Sequence, residues 1–210
     1  MVKKRKYMYT LIERGYFMSF FVPVGISNHH VHLTQEVYEQ LFDEEMVCVK
    51  PLKQKGEFAS NLFVTLETEK GIIEGVRVLG PTRAYSQVEI SSTDAYKLGL
   101  NPPVRKSGVL TEAVGITLKT NKGSVYLPHA CILAENHIHM NMEDLKTYDV
   151  LDNEVVKVQI DKERKGTFYA HIKASQNGVL EFHVDRDEGS AFLLSNGDVL
   201  EVNKLDNSDF

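Results

Sequence analysis

The feature that most constrains the fold of this chain is a series of short, strand-like runs separated by turn signals. The runs are rich in β-branched and aromatic residues and end at Gly, Pro, Asn or charged turns, which is typical of β-strands. A sheet of such short strands must cover its edges, so we expect the strands either to close into barrels or to pack together. The predicted strands are Phe20–Ile26, Phe63–Leu66, Gly75–Leu79, Gln87–Ile90, Gly115–Leu118, Ser124–Leu127, Glu154–Ile160, Gly166–Ile172 and Val179–Val184.

Short helices are predicted between the strands, at Thr34–Phe42, Ser92–Leu98 and Asn141–Tyr148. Thr34 and Asn141 can accept hydrogen bonds from the exposed amides of a first helical turn, and carboxylates follow each of them closely. The sequence therefore predicts a mainly β protein with short capping helices.

Two pairs of similar segments indicate an internal repeat. Residues 28–42 and residues 136–148 both run from a histidine–aliphatic–histidine triplet into a capped helix, and residues 66–73 resemble residues 118–125. Self-similarity of this kind is typical of related structural units. We therefore predict two related small β units, each of which must close into a barrel or pack against the other to cover its strand edges.

The composition excludes several classes of protein. A net charge of -5 over 210 residues does not indicate a nucleic-acid partner, which would leave a basic footprint. Cys48 and Cys131 are far apart, which argues against a disulfide scaffold or a cysteine zinc site. No apolar run is long enough for a membrane span, so we expect a cytoplasmic protein without a membrane partner. Residues 1–17 do not form a signal peptide and are predicted to be a disordered tail or a non-native extension upstream of Met18.

The strongest chemical signal is the H-x-H triplet, which occurs at residues 30–32 and again at residues 137–139. In an extended segment the side chains at i and i+2 leave the same face, so the two imidazoles of each triplet can converge on one cation. A single triplet is more often a pair of surface or core histidines, but two matched copies favour a metal site, with zinc preferred. The alternative is the symmetry of a purely structural repeat.

Each histidine pair needs further ligands, and the strand settings of Glu89 and His183 make these two residues candidates. Both alternate with apolar neighbours, so each side chain projects to the face opposite them. An exposed strand residue is the alternative interpretation of Glu89. We interpret His29, His129 and His171 as structural or surface residues.

Arg83 is the candidate anion-binding residue. It follows the Gly80-Pro81 turn and precedes Glu89 by six positions, and a guanidinium presents a planar fork that suits phosphate oxygens. An exposed turn arginine is the alternative. Lys53, Arg77 and Arg105 could serve an extended anionic ligand, or could solvate the surface. No nucleophile elbow, P-loop or dinucleotide fingerprint is present, so metal-assisted chemistry is favoured over covalent chemistry.

The two histidine triplets, the segment around Arg83 and several further segments resemble the PduL family of phosphotransacylases, which are associated with propanediol and ethanolamine microcompartments. The resemblance covers about residues 20–192, in order and without large gaps. The segments that carry it are V-P-V-G-I-S-N-H-H-V-H-L from residue 22, F-A-S at 58–60, R-V-L-G-P-T-R at 77–83, Q-V-E-I-S at 87–91, G-L-N-P-P-V-R at 99–105, H-I-H-M at 137–140 and E-F-H-V-D-R-D-E at 181–188.

The resemblance implies a fold and a domain organisation. It implies a mainly β chain with two closed β-barrel domains, capped by short α-helices and related by the internal repeat, with a dinuclear, zinc-type site between them. The first barrel would be discontinuous, with residues 18–28 and residues 136–204. The second would contain residues 29–135, and residues 205–210 would form a tail.

The resemblance also implies roles for particular residues. His30, His32 and Glu89 would hold one divalent metal, whose open position faces the coenzyme A sulfur. The resemblance assigns phosphate binding to Arg83. The other metal ligands it implies are His137, His139 and His183, and the residues it places at the coenzyme A site are Ser27, Arg77 and Leu79.

The implied activity is phosphate acyltransfer: propanoyl-CoA, or acetyl-CoA, and phosphate would be interconverted with acyl phosphate and coenzyme A by metal-assisted direct transfer. We also expect a homodimer and consider association with a microcompartment. The alternatives are a metal-dependent acyl-CoA hydrolase and a non-enzymatic, metal-stabilised binding module. The sequence departs from the family at His29, where Arg is common, and at Gly189-Ser190-Ala191, where Ala-Asn-Ala is common.

Overall fold

The computed structural model describes residues 19–205, and the predictions for residues 1–17 and for most of the tail lie outside this range. Contacts divide the described chain into two units. The first contains residues up to Ile26, Asn136–Val184 and residues from Glu188, and the second contains Ser27–Glu135 and Asp185–Asp187. The exact domain boundaries given above stay a prediction.

The described elements are short. The helices are α1 (Gln35–Leu41), α2 (Ser92–Leu98), α3 (Met142–Tyr148) and α4 (Arg186–Ala191). The strands are β1 (Phe20–Ser27), β2 (His30–His32), β3 (Cys48–Pro51), β4 (Phe58–Glu67), β5 (Ile72–Gly80), β6 (Gln87–Glu89), β7 (Val104–Arg105), β8 (Val114–Lys119), β9 (Ser124–Ala134), β10 (His137–Met140), β11 (Val155–Asp161), β12 (Lys165–Ala174), β13 (Glu181–Asp185) and β14 (Val199–Lys204).

The first unit is a closed barrel with the strand order β1-β13-β10-β12-β11-β14. Strands β11 and β12 form its longest hairpin, which is paired from Val155 to Asp161. Its core is filled by aliphatic and aromatic side chains, including the fully buried Phe182, Ile138 and Ile172.

The second unit also closes on itself. Strand β4 pairs with β5, β5 with β2, β2 with β6, β6 with β9, β9 with β8, and β8 returns to β4. Strands β3 and β7 extend the sheet beyond this ring, on β4 and β9 respectively. The prediction of a mainly β fold with two closed barrels is confirmed.

The two rings share one pattern of pairing. Strand β10 is parallel to β12 and antiparallel to β13, just as β2 is parallel to β5 and antiparallel to β6. Strands β11 and β14 pair with each other as β4 and β8 do. The two rings differ in one respect, the order in which the chain supplies their strands. In the second unit the last strand of that unit, β9, pairs with β6 and β8, whereas in the first unit the equivalent position is taken by β1, from the start of the chain.

A five-residue segment occurs at equivalent places, twice in each barrel. It reads polar, apolar, polar, apolar, and its fifth residue directly precedes a helix. Both apolar positions are buried in every copy, so the segment's backbone is anchored by its alternate side chains. The copies are His30–Thr34, Gln87–Ser91, His137–Asn141 and Glu181–Asp185.

The similarity between residues 66–73 and residues 118–125 has a different origin from the one we expected. These residues form the turns of the β4–β5 and β8–β9 hairpins, and both hairpins belong to the second unit. The similarity therefore relates two halves of one barrel, not the two barrels. The hydroxyl of Thr68 donates to the carbonyl of Leu98 at 2.7 Å, and that of Thr120 donates to the carbonyl of Leu41 at 2.7 Å, so each turn caps the end of one helix.

The burial along β14 predicts unequal effects of the same substitution. Val202→Ala, at a fully buried position, should lower the free energy of unfolding by about 2 kcal/mol, because it removes apolar contacts and leaves a cavity. Val199→Ala, at an exposed position of the same strand, is the matched control and should change it by less than about 0.5 kcal/mol. Urea denaturation measures both, and equal shifts would contradict the assigned barrel core.

Candidate metal centres

The five-residue segments determine where the candidate ligands lie. Val31, Val88, Ile138 and Phe182 are fully buried in the barrel cores. Because side chains alternate along a strand, the residues on either side of each project from the opposite face of the sheet. Each barrel thus presents two short antiparallel segments whose polar side chains lie next to one another.

In the second unit, this arrangement gathers His30, His32 and Glu89. His30 is directly opposite Glu89 in the β2–β6 register, and His30 Nε2 lies 3.5 Å from Glu89 Oε2. One ligand atom from each of the three residues lies within 4.8 Å of the others. All three side chains are buried, so a cation held here would be largely removed from solvent.

Hydrogen bonds orient two members of this triad. His30 Nδ1 is 2.8 Å from the carbonyl oxygen of Asn28, which requires a proton on Nδ1 and leaves the lone pair of Nε2 facing Glu89. The amide of Gln87 donates to Glu89 Oε1 at 2.6 Å, and its own oxygen accepts from the backbone N–H of Gly108 at 2.7 Å. Outer contacts of this kind orient metal ligands in proteins.

In the first unit, the same arrangement gathers His137, His139 and His183. His137 is opposite His183 in the β10–β13 register, and one nitrogen from each of the three rings lies within 4.8 Å of the others. The Nε2 atoms of His137 and His139 are only 3.1 Å apart, so at most one proton lies between them. Burial lowers the pKa of His139, and His183 and His137 lower it further. The neutral imidazole that results is the form that binds metals.

Two further residues adjoin this second triad. Glu181 is buried, and its Oε2 lies 2.8 Å from His183 Nε2. The ring of His171, which is also buried, stacks on the ring of His137 at 5.6 Å between centroids. Glu181 is not among the ligands predicted from the sequence, and His171 is predicted to be a structural or surface residue. The signal for Glu181 was available, since it occupies the position in its five-residue segment that His30 and His137 occupy in theirs.

Arg83 belongs to the second unit and is held in an extended network. Its backbone N–H donates to the carbonyl of Leu33, which follows the first histidine pair. Its guanidinium donates to Glu57 Oε1 at 2.6 Å and lies 3.5 Å from the hydroxyl of Tyr85. The side chain is 21% exposed, so it remains accessible to a ligand from solvent.

The other residues predicted to line a coenzyme A site are also in or beside the second unit's sheet. Arg77 is opposite His30 in the β2–β5 register, and its guanidinium lies 4.2 Å from the Phe63 ring centroid. Ser27 Oγ lies 3.5 Å from His30 Nδ1. Leu79 is half-buried, two residues beyond Arg77 on β5. Arg105, also considered for an anionic ligand, pairs instead with Glu112.

His29, which stands where the family commonly has Arg, forms a contact of its own. Its Nδ1 lies 3.0 Å from Asp94 Oδ2, near the start of α2. Burial by itself raises the pKa of Asp94, but the His29 contact and the hydrogen bonds from Ser91 outweigh burial and lower that pKa. His129 is exposed and belongs to neither triad.

The types of ligand atom in the two triads show whether these residues suit a divalent metal. One triad offers two imidazoles and a carboxylate, and the other offers three imidazoles; both are combinations that zinc and similar metals accept with one position left open. The oriented Nδ1–H of His30 and the carboxylate beside His183 are the supporting contacts that such ligands normally have. The residues therefore fit a metal in each unit.

The fold and the two histidine-based triads together indicate a metal-dependent protein built from two β-barrels. Comparison with known proteins shows which family of such proteins this chain resembles. The family model for phosphate propanoyltransferase matches residues 23–195. A phosphate propanoyltransferase of Thermotoga maritima is 43% identical over 183 residues, which cover 85% of this chain and 87% of that protein. One of Lachnoclostridium phytofermentans is 42% identical over 187 residues, 87% of each chain.

This chain belongs to the phosphate propanoyltransferase family. The predictions of this family and of an acyltransferase are confirmed. No helix within residues 19–205 is long and apolar enough to cross a membrane.

We expect purified protein to hold about two equivalents of divalent metal per chain, and His30→Ala and His137→Ala should each remove about one, because each deletes a ligand from a different triad. Elemental analysis after gel filtration measures this. His129→Ala, at an exposed histidine outside both triads, is the matched control. Metal content that is the same in all three variants would refute the ligand assignment.

Proposed function

We propose that this protein transfers a short acyl group between coenzyme A and inorganic phosphate, with propanoyl-CoA as the preferred substrate and acetyl-CoA as a second one. The observation that carries the proposal is a hydrogen-bonded ligand triad in each barrel of a chain that belongs to the phosphate propanoyltransferase family; the triad is buried in the second unit and partly buried in the first. We further propose that the triads hold two divalent metal ions, with zinc favoured by the imidazole ligands.

Phosphate is assigned to Arg83 because of the chemistry already around its guanidinium. Glu57 Oε1 accepts a hydrogen bond from the Arg83 guanidinium at 2.6 Å, so this guanidinium is already oriented by an anionic oxygen, the same type of acceptor that phosphate offers. A phosphate that replaces Glu57 would gain a charge-assisted, bidentate contact. The side chain of Glu57 is 34% exposed and can turn into solvent when this happens.

The reaction has a simple balance. A phosphate oxygen attacks the thioester carbonyl, the new C–O bond forms and the C–S bond breaks, and the proton of hydrogen phosphate ends on the coenzyme A sulfur. Divalent metals at the triads would supply Lewis-acid stabilisation of developing negative charge on oxygen or sulfur. Arg83 orients phosphate and removes it from bulk water, which converts an encounter of two solutes into an oriented reaction.

Direct transfer, without an acyl-enzyme, is favoured by the state of the thiols. Burial raises the pKa of Cys131 to about 12, and the nearby Asp94 contributes to this shift. The thiol is therefore protonated at neutral pH and is a poor nucleophile. Cys48 is exposed on β3, and its strand neighbours do not include the triad residues.

Coenzyme A contacts are proposed for Ser27, Arg77 and Leu79, because Arg77 and Leu79 lie along β5, with Arg77 opposite His30, and Ser27 lies beside His30. Arg77 is the member with a charge that can bind a phosphate group of the cofactor. The cytoplasmic location stays a prediction from the composition. The homodimer, the pairing of the triads in one dinuclear centre and the association with a microcompartment stay predictions as well.

The proposal is tested by mixing the protein with propanoyl-CoA, with and without phosphate, and following free thiol. We expect thiol release only when phosphate is present, with acyl phosphate as the other product. Release without phosphate would indicate the metal-dependent hydrolase instead. Absence of release under both conditions would favour the binding module.

Arg83→Ala should lower phosphate-dependent thiol release at least about a hundredfold, because the oriented charge that binds phosphate and stabilises its reaction is lost. Circular dichroism should show the wild-type fold, since the side chain is at the surface of its unit. Arg164→Ala, which removes an exposed arginine of the first unit, is the control and should transfer normally. Near-normal turnover by Arg83→Ala would rule out the assigned role.

A further inference from the structure

We propose that Glu181 is a positioning residue that holds His183 in the orientation and tautomer needed to bind a metal. The proposal rests on the metal sites of the proposed function and adds a residue that the ligand triads do not contain. It follows from the repeated five-residue segment, from the contact between the two side chains, and from the space that the fold leaves for Glu181.

The repeat gives each centre four equivalent positions, two from each of its antiparallel segments. In the second unit, three are His30, His32 and Glu89, and the fourth is Gln87. In the first unit, the fourth position belongs to Glu181, which lies opposite His139 in the β10–β13 register. The fourth residue thus has the same location in both barrels.

The fourth residue also makes the same contact in both barrels. Gln87 donates to Glu89 Oε1 at 2.6 Å, and Glu181 Oε2 lies 2.8 Å from His183 Nε2. In each case the side chain binds the ligand two positions further along its own strand. An amide donor supports a carboxylate ligand, and a carboxylate acceptor supports an imidazole ligand, so the two pairs are chemically matched.

The contact determines which nitrogen of His183 is available. An ionised carboxylate can only accept, so the proton of a neutral His183 lies on Nε2 and the lone pair lies on Nδ1. A carboxylate that accepts from a metal-binding histidine fixes the ring and raises its basicity as a ligand. Glu181 is only 6% exposed, so water competes little for this hydrogen bond.

Gly25 shows that the fold makes room for this carboxylate. A Cβ added at position 25 would lie 2.6 Å from Glu181 Cδ and 2.8 Å from its Oε1, closer than real contacts allow. Gly25 does not have the positive φ that favours glycine, so the backbone itself does not require a glycine there. The lack of a side chain at position 25 on β1 leaves space for the carboxylate of Glu181 on the neighbouring strand β13.

One consequence is a similar charge at the two centres. The second unit's triad contains its carboxylate as a ligand, whereas the first unit's triad consists of three imidazoles and has Glu181 immediately behind one of them. Each centre therefore includes one carboxylate among its four equivalent positions. Glu181→Gln removes this charge with little change of shape.

The experiment measures zinc affinity by competition with a chelating dye, using the full-length protein. Glu181→Gln should weaken one of the two zinc sites about 10- to 100-fold and leave the other unchanged. Gly25→Ala, which keeps Glu181 but crowds it, should weaken the same site. The metal-free melting temperature of Glu181→Gln should match that of metal-free wild type, whereas the zinc-loaded variant should melt below zinc-loaded wild type.

Glu201→Gln is the matched control, because it makes the same change at a half-buried position of β14 in the same barrel, and both of its zinc sites should stay intact. Two unchanged zinc sites in Glu181→Gln would overturn the positioning role while leaving the proposed function in place. An equal loss of stability with and without zinc would also overturn it, by showing a purely structural role. Wild-type protein that binds no zinc at the histidine triad would overturn the proposed metal site of the first unit and, with it, the positioning role.

Discussion

The architecture of both candidate centres depends on alternation along very short strands. In each five-residue segment the apolar side chains are fixed in a barrel core, and the polar side chains between them must leave the opposite face. Ile138 illustrates this, since it is fully buried between two histidines that meet at 3.1 Å. The hydrophobic effect that stabilises the barrel therefore also holds the imidazoles together.

Antiparallel pairing completes the arrangement. It places His30 opposite Glu89 in one barrel and His137 opposite His183 in the other, so that two segments distant in sequence share one cluster. The helices that begin directly after the segments fix their ends through caps such as that of Asn141, whose side chain accepts from two backbone amides. The ligands thus lie on short strands that are anchored by buried side chains and run directly into helices, which is a rigid setting for a metal.

The sequence predicted most of this architecture because the relevant signals are local. The H-x-H triplets, the helix-capping residues and the short β-branched runs each indicate structure over a few residues, and α2 occupies the predicted range Ser92–Leu98. The sequence did not predict the helix Arg186–Ala191 or the strands Cys48–Pro51, Val104–Arg105 and Val199–Lys204. The helix contains glycine and serine, which are poor helix formers, so tertiary contacts rather than propensity determine it.

Other features depend on contacts that a single sequence does not reveal. The stacking of His171 on His137 follows from the parallel register of β10 and β12, which no local pattern encodes. The contact between Arg83 and Glu57 joins residues 26 positions apart, and it is determined by the return of the chain through β4 and β5. The similarity of residues 66–73 to residues 118–125 was visible in the sequence but was attributed to the two barrels, whereas both segments are hairpin turns of one barrel.

The most direct test is anomalous X-ray diffraction at the zinc edge from crystals of the zinc-loaded protein. The central claim predicts two anomalous peaks per chain, one about 2.0–2.1 Å from ring nitrogens of His30 and His32, and the other at the same distance from those of His137 and His139. Zinc bound only at other residues, with these four rings turned away from any metal, would contradict the account.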